Sequence, residues 1–76
     1  MRKVRDLPSL ELLKALEAAA RHLSFTHAGT ELFLSQSAVS RQIQQLEAQL
    51  GMPLFIRHTR ALSLTESGKR YYRDVN

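Results

Sequence analysis

Val39, Ile43, Leu46 and Leu50 follow one another at steps of four, three and four residues, which places them on one face of a helix. Ser35 stands before this run as an N-cap, and Gly51 with Pro53 closes it. The pattern predicts a long helix over 36–50. Upstream, Leu10, Leu13, Leu16 and Ala20 mark the inner face of a first helix, with Ser9 as its N-cap and Glu11 in its first turn. Glu17 and Arg21 stand four apart, where an ion pair adds a few tenths of a kcal/mol. Ala18-Ala19-Ala20 joins high helix propensity to room for a close neighbour, and His22-Leu23-Ser24 ends the helix without a glycine. A shorter second helix is expected to begin near Thr26, with Phe25 and Leu32 turned inward. Gly29 in its middle costs about 1 kcal/mol relative to alanine, which a close crossing by the next helix would offset. Phe33-Leu34 form the turn, with Leu34 expected to be buried.

Two helices, a short turn, a small residue at the crossing and a longer following helix make a helix-turn-helix over 25–44. Beyond Pro53, Leu54-Phe55-Ile56-Arg57 and Ala61-Leu62-Ser63-Leu64 are short strand-like runs, with Leu54, Ile56, Leu62 and Leu64 expected on the half-buried side. His58-Thr59-Arg60 between them forms a hairpin tip with Arg57 and Arg60 at its ends. A basic hairpin directly after a helix-turn-helix is the wing of a winged helix. Thr65 then caps a last helix, with Glu66 in its first turn and Tyr71, Tyr72 and Val75 as apolar contacts. The expected fold is mainly α: a three-helix core, a two-stranded wing and the start of a linker helix. Residues 1–64 form the domain, and 65–76 begin a helix that reads as cut short.

The polar side of the long helix narrows the chemistry. Its first turns present Gln36, Ser37, Ser40, Arg41 and Gln44, with no acid before Glu47. Surface helices usually mix both charge signs and favour acids in the first turn. Amides, hydroxyls and a guanidinium suit a negatively charged surface rich in donors and acceptors, such as a base-pair edge flanked by phosphates. Taken alone such a face is ordinarily just solvated; the helix-turn-helix before it and the wing after it argue otherwise.

Composition adds bounds. Seventy-six residues make one small domain or a piece of a larger protein, and 43% apolar residues suffice for one compact core. Without cysteine there is no disulfide framework, thiol nucleophile or Cys-based zinc site. His22, His27 and His58 lack zinc-ligand spacing, so neither a metal nor another cofactor is expected. No apolar run can span a membrane and the N-terminus lacks the apolar stretch of a secretory signal, which points to the cytoplasm. The net charge of +4 is unevenly spread. Arg2, Lys3 and Arg5 crowd the start; past residue 31, Arg41, Arg57, Arg60, Lys69, Arg70 and Arg73 face only Glu47, Glu66 and Asp74. This excess suits a polyanion, although charge alone does not separate nucleic acid from an anionic membrane.

The sequence also carries a resemblance. The residues Leu13-x-x-Leu16, Ser24-Phe25-Thr26-x-Ala28, Leu32, Ser35-Gln36-Ser37-Ala38-Val39-Ser40-Arg41-Gln42-Ile43, Leu46-Glu47, Leu50-Gly51, Leu54-Phe55-x-Arg57, Arg60 and Leu64-Thr65-x-x-Gly68 resemble the N-terminal winged helix-turn-helix of LysR-type transcriptional regulators. The segment from Ala18 to Thr26 looks most like the branch that includes the glycine-cleavage activator and the β-lactamase regulator. Gly29 departs from the alanine usual in the family, which touches only helix stability. The resemblance implies a bacterial regulator with an effector domain beyond a linker helix, in which a small molecule would be sensed. It also implies a homodimer or tetramer that binds double-stranded DNA at imperfect inverted repeats with a T…A core.

In such a domain the long helix enters the major groove by its N-terminal half. Arg41 is then the main base reader, since a guanidinium bonds bidentately to guanine O6 and N7; Gln36 is second, its amide matching adenine N6 and N7. Ser37 and Ser40 can meet a base, a thymine methyl or a phosphate, and Gln44 is at the limit of reach. Ser24, Thr26, Ser35, Arg57, Arg60 and Thr65 are candidate phosphate contacts, while Thr26 and Thr65 read equally as N-caps alone. An enzyme is disfavoured, because no triad or paired-acid spacing stands out and so short a chain leaves little room for a pocket. A protein-interaction module is the rival, since Val39, Ile43, Leu46 and Leu50 also read as a coiled-coil seam; under two heptads is too short for a stable one.

Overall fold

The computed structural model describes residues 8–59 and 61–75. Four helices and a hairpin follow in the order α1 (Leu10–His22), α2 (Phe25–Leu32), α3 (Gln36–Leu50), β1 (Phe55–Arg57), β2 (Leu62–Leu64) and α4 (Glu66–Val75). The chain is a winged helix-turn-helix. Helices α1, α2 and α3 pack pairwise around one core, and α4 returns to lie against α1 and β2.

Short polar side chains set the helix starts. The hydroxyl oxygens of Ser9, Ser24 and Ser35 accept hydrogen bonds from the backbone N–H groups of Leu12, His27 and Ala38. Each satisfies a donor that the first helical turn leaves unpaired. Thus Ser24, and not Thr26, caps α2, and Thr26 sits exposed in the first turn. Leu23 ends α1 in the left-handed conformation (φ 50°), so this helix closes without a glycine. Gly51 caps α3 at φ 71° and donates its N–H to Glu47 O.

The core is built from Leu12, Ala15, Leu16, Ala18, Ala19 and Ala20 of α1, Phe25 and Ala28 of α2, Val39, Ile43 and Leu46 of α3, and Leu54 and Phe55 at the wing. The inner face of α1 thus differs from the leucine pattern. Leu10 is 70% exposed and Leu13 half-buried, while Leu12, Ala15 and Ala19 lie inside. Four leucines at 10, 12, 13 and 16 allow more than one stripe; alanines at 15, 18 and 19 decide, because their small side chains let α2 and α3 approach closely. Leu34 is half-buried rather than buried. On α4, Tyr71 and Tyr72 rest partly on the core, whereas Val75 is exposed.

At Gly29 the helix-turn-helix leaves no space for a side chain. A Cβ there would collide with the carbonyl oxygen of Leu34, while the Leu34 N–H donates to Gly29 O at 2.8 Å. The glycine therefore lets the turn fold directly onto α2, which goes beyond the helix-stability penalty expected from propensity.

The strands are antiparallel, with Phe55 opposite Leu64, Ile56 opposite Ser63 and Arg57 opposite Leu62. Phe55 is 6% exposed and Ile56 45%, the reverse of the alternation expected from the sequence. Leu54 is buried just before the strand, so alternation from it puts Ile56 inward only if 54 belongs to β1. The strand instead starts at Phe55, whose ring meets that of Phe25 edge-on at 5.6 Å. Side chains alternate along a strand, so Arg57 shares the inward side with Phe55.

Candidate nucleic-acid interface

The first half of α3 gathers the polar residues singled out in the sequence. Gln36, Ser37, Ser40, Arg41 and Gln44 together line one shallow concavity on the outer side of the helix. All but Ser40 are exposed, and Ser40 is half-buried. Helical periodicity explains the grouping: the buried stripe of Val39, Ile43 and Leu46 fixes the rotation of α3, so positions 36, 37, 40, 41 and 44 turn outward as a set. Among the described residues, Gln36, Ser37, Arg41 and Gln44 form no side-chain hydrogen bond or ion pair. Their donors and acceptors face solvent.

A second, larger groove lies beside the first and shares Gln36 and Ser40 with it. Its walls are the start of α2 at Ser24 and Thr26, the start of α3, and the wing at Arg57, His58 and Thr59. The starts of α2 and α3 both present backbone N–H groups and the positive end of a helix dipole. Ser24 and Ser35 use their hydroxyl oxygens as caps, which leaves each hydroxyl hydrogen available to donate. Thr65 is different: its hydroxyl donates to Pro53 O and accepts from the Gly68 N–H, both at 2.8 Å. Its hydrogen is thus engaged in tying the start of α4 to Pro53, two residues before β1. Arg60 lies outside the described residues.

Arg57 holds a more specific position than a solvated wing cation. Its Nη1 donates to Ser40 Oγ at 2.8 Å, and its guanidinium carbon stands 4.9 Å from the centre of the Phe25 ring. A guanidinium over an aromatic face is attracted by the ring quadrupole. The wing residue therefore touches α2 and α3 at once. Nothing in the sequence pattern signals this contact, because its partners lie 17 and 32 positions away. At the wing itself, the His58 N–H donates to Ala61 O at 2.9 Å and the His58 ring meets Ser63 Oγ at the same distance.

Glu47 is a further residue whose role the sequence reading missed. One carboxylate oxygen accepts from the N–H groups of Leu54 (2.8 Å) and Phe55 (3.2 Å). The lone acid of α3 thus serves the fold, holding the end of α3 to the start of the wing. Its position near the helix end, four before Gly51, was the available signal.

Glu17 and Glu31 also line neither groove of the polar face. Arg21 donates to Glu17 at 2.7 and 2.8 Å and to Glu31 at 2.6 Å, and the other Glu31 oxygen meets the His22 ring at 2.6 Å. The Arg21 guanidinium, with His22, pulls the Glu31 carboxyl down to about 2. The same guanidinium lowers Glu17, while the two acids raise Arg21. This cluster ties α1 to α2. Among the described residues, no group of His, Asp and Glu is arranged to hold a metal ion, and no helix is long and apolar enough to cross a membrane.

Fold and polar face together define the class of a winged helix-turn-helix nucleic-acid-binding domain. Residues 10–69 match the family model described as bacterial regulatory helix-turn-helix protein, lysR family, and the chain belongs to that family. It is 55% identical over 71 residues to the glycine cleavage system transcriptional activator of Escherichia coli strain K12, covering 93% of this chain and 23% of the relative. It is 59% identical over 59 residues to the HTH-type transcriptional activator AmpR of Providencia stuartii, covering 78% of this chain and 20% of the relative. The chain therefore spans under a quarter of the length of these relatives. Among solved structures, the CbnR_DBD–DNA complex is similar with a TM-score of 0.84 and 35% identity over 87% of this chain and 76% of that one. The BenM_DBD/benA site 1 DNA complex gives a TM-score of 0.82 and 36% identity, covering 87% and 74%.

Proposed function

We propose that this chain binds double-stranded DNA with sequence preference, as the DNA-binding domain of a bacterial LysR-type transcriptional regulator. The observation that carries the reading is the concave face of α3, on which Gln36, Ser37, Ser40, Arg41 and Gln44 meet with no acid among them. Helix α3 enters the major groove, Arg41 reads a guanine edge and Gln36 an adenine edge. The groove between the start of α2 and the wing takes the adjoining phosphates, with Ser24 and Thr26 as donors in its wall and Ser35 as a further donor at the N-cap of α3. Arg60 joins them by its place in the sequence between β1 and β2. The relatives named as transcriptional activators and the similar domains solved with DNA support the same role.

The wider role follows from the family. Residues 1–64 are the DNA-binding unit, and α4 begins a linker helix through which the intact protein forms a homodimer or tetramer. A small-molecule effector would act through a domain beyond that linker. The targets are imperfect inverted repeats with a T…A core, and the site of action is the cytoplasm. An enzymatic role finds no support in the polar groups of α3 and the wing.

Titration of isotopically labelled protein with duplex DNA, followed by amide NMR, tests the reading. The largest shifts should fall in residues 24–26, 35–44 and 57–63. Shifts centred instead on the exposed Leu10 and Phe33 would overturn the assignment of the face.

A further inference from the structure

We infer that Arg57 is a positioning residue for base recognition, which it serves by turning Ser40 into a hydrogen-bond donor aimed at the DNA. This inference rests on the reading of α3 as the recognition helix. A serine hydroxyl can donate one hydrogen bond and accept two, and so does not by itself distinguish a donor from an acceptor on a base edge. Here one lone pair of Ser40 Oγ is taken by the Arg57 guanidinium at 2.8 Å. The hydroxyl hydrogen has no acceptor among the described residues, and Ser40 lies in both grooves, beside Gln36. A charged donor drawing on the oxygen polarises the O–H bond and strengthens its outward donation. Ser40 is thereby presented to an acceptor on a base edge: guanine O6 or N7, adenine N7, or thymine O4.

The fold holds Arg57 for this task from three sides. Strand alternation puts it on the inward side of β1, with Phe55. The face of Phe25 lies 4.9 Å from its guanidinium carbon, and Phe25 is itself fixed edge-on against Phe55. Glu47 ties the backbone of Leu54 and Phe55 to the end of α3. Wing and recognition helix are therefore braced at both ends of the contact before any DNA arrives. A guanidinium engaged in this way acts on specificity, whereas a free wing cation meeting a phosphate would act on all sequences alike.

The test is a double-mutant cycle with Ser40→Ala, Arg57→Ala and the double variant, together with Arg57→Lys. Affinity is measured for the tightest duplex that the unaltered 76-residue chain selects from a randomised pool, and for random duplex. Each single alanine variant should lower the preference for the selected duplex by about tenfold, the scale of one charge-assisted hydrogen bond. The double variant should lose no more than the larger single loss. Arg57→Lys, which keeps the charge and a donor but not the planar stacking, should recover part of the preference. In melting of the free proteins, the two alanine changes should also be non-additive, since the bond precedes DNA. Equal losses on selected and random duplex for Arg57→Ala, or multiplicative losses in the double variant, would overturn the inference while leaving α3 as the reading helix. Absence of any preference in the unaltered chain would overturn the reading of α3 and this inference with it.

Discussion

The proposed sequence preference rests first on a single guanidinium of α3. Arg41 is exposed on the outer side of α3 and pairs with no acid among the described residues, although Glu47 lies only six positions on. Glu47 is engaged with the backbone of Leu54 and Phe55, and so does not neutralise the polar face of α3. Replacement of Arg41 by alanine should cost about 1–3 kcal/mol of binding and relax preference at one base position. Binding measured across a set of single-base variants checks this; an equal loss on every sequence would place Arg41 on a phosphate. Gly68 shows the opposite case, a residue whose value lies in what it lacks. A Cβ at this position would collide with the carbonyl oxygen of Leu54, and the Gly68 N–H donates to Thr65 Oγ. Gly68→Ala should therefore destabilise by about 1–3 kcal/mol. For a domain of this size that is a fall of roughly 4–8 °C in Tm per kcal/mol. An unchanged Tm would show that α4 can lift from the start of β1 without cost.

At the scale of elements, the joints between helices and wing carry the account. Glu47→Ala would leave two backbone N–H groups without their acceptor, a loss of about 1–3 kcal/mol. Faster amide exchange at Leu54 and Phe55 relative to the α1 core should accompany it; unchanged exchange there would deny the joint. The Arg21–Glu17–Glu31–His22 cluster ties α1 to α2 and depends on pH. Because the Glu31 carboxyl falls from an ordinary 4.5 to about 2 in the folded state, its contribution is present above pH 4.5 and lost as pH falls towards 2. The difference in Tm between the native chain and Glu31→Gln should therefore shrink across that window. A difference that stays constant from pH 5 to 2 would contradict the pairing. How legible these elements were depended on range. Ser9, Ser35 and Gly51 mark helix ends within their own neighbourhoods, and the stripe Val39–Ile43–Leu46 fixes α3 from a period alone. Phe55 turning in where Ile56 was expected, Leu12 replacing Leu10, and Arg57 reaching Ser40 all depend on which neighbour arrives from far along the chain.

The molecule as a whole sorts its charges by place. Glu17 of α1 and Glu31 of α2 are drawn into the Arg21 cluster, and Glu47 is spent on the wing joint, so the start of α3 and the adjoining groove carry amides, hydroxyls and arginines and no acid. That Gln36, Ser37, Ser40, Arg41 and Gln44 share one outward side could be read from the sequence because one helix carries them all, and its buried stripe dictates that side. The groove beside them could not be read in the same way, because it forms between α2, α3 and a hairpin that meet only in the fold. A groove without acids, walled by the starts of two helices, favours a polyanion, and in the proposed role the polar groups of α3 beside it select among sequences.

Sequence-selective binding by α3 is measured by fluorescence anisotropy of labelled duplexes, one random and one a T…A inverted repeat, titrated with this chain at several salt concentrations. Tighter binding to the repeat, with affinity for both duplexes falling steeply as salt rises, is the result expected of a recognition helix flanked by phosphate contacts. Equal affinity for both duplexes, or binding indifferent to salt, would contradict it.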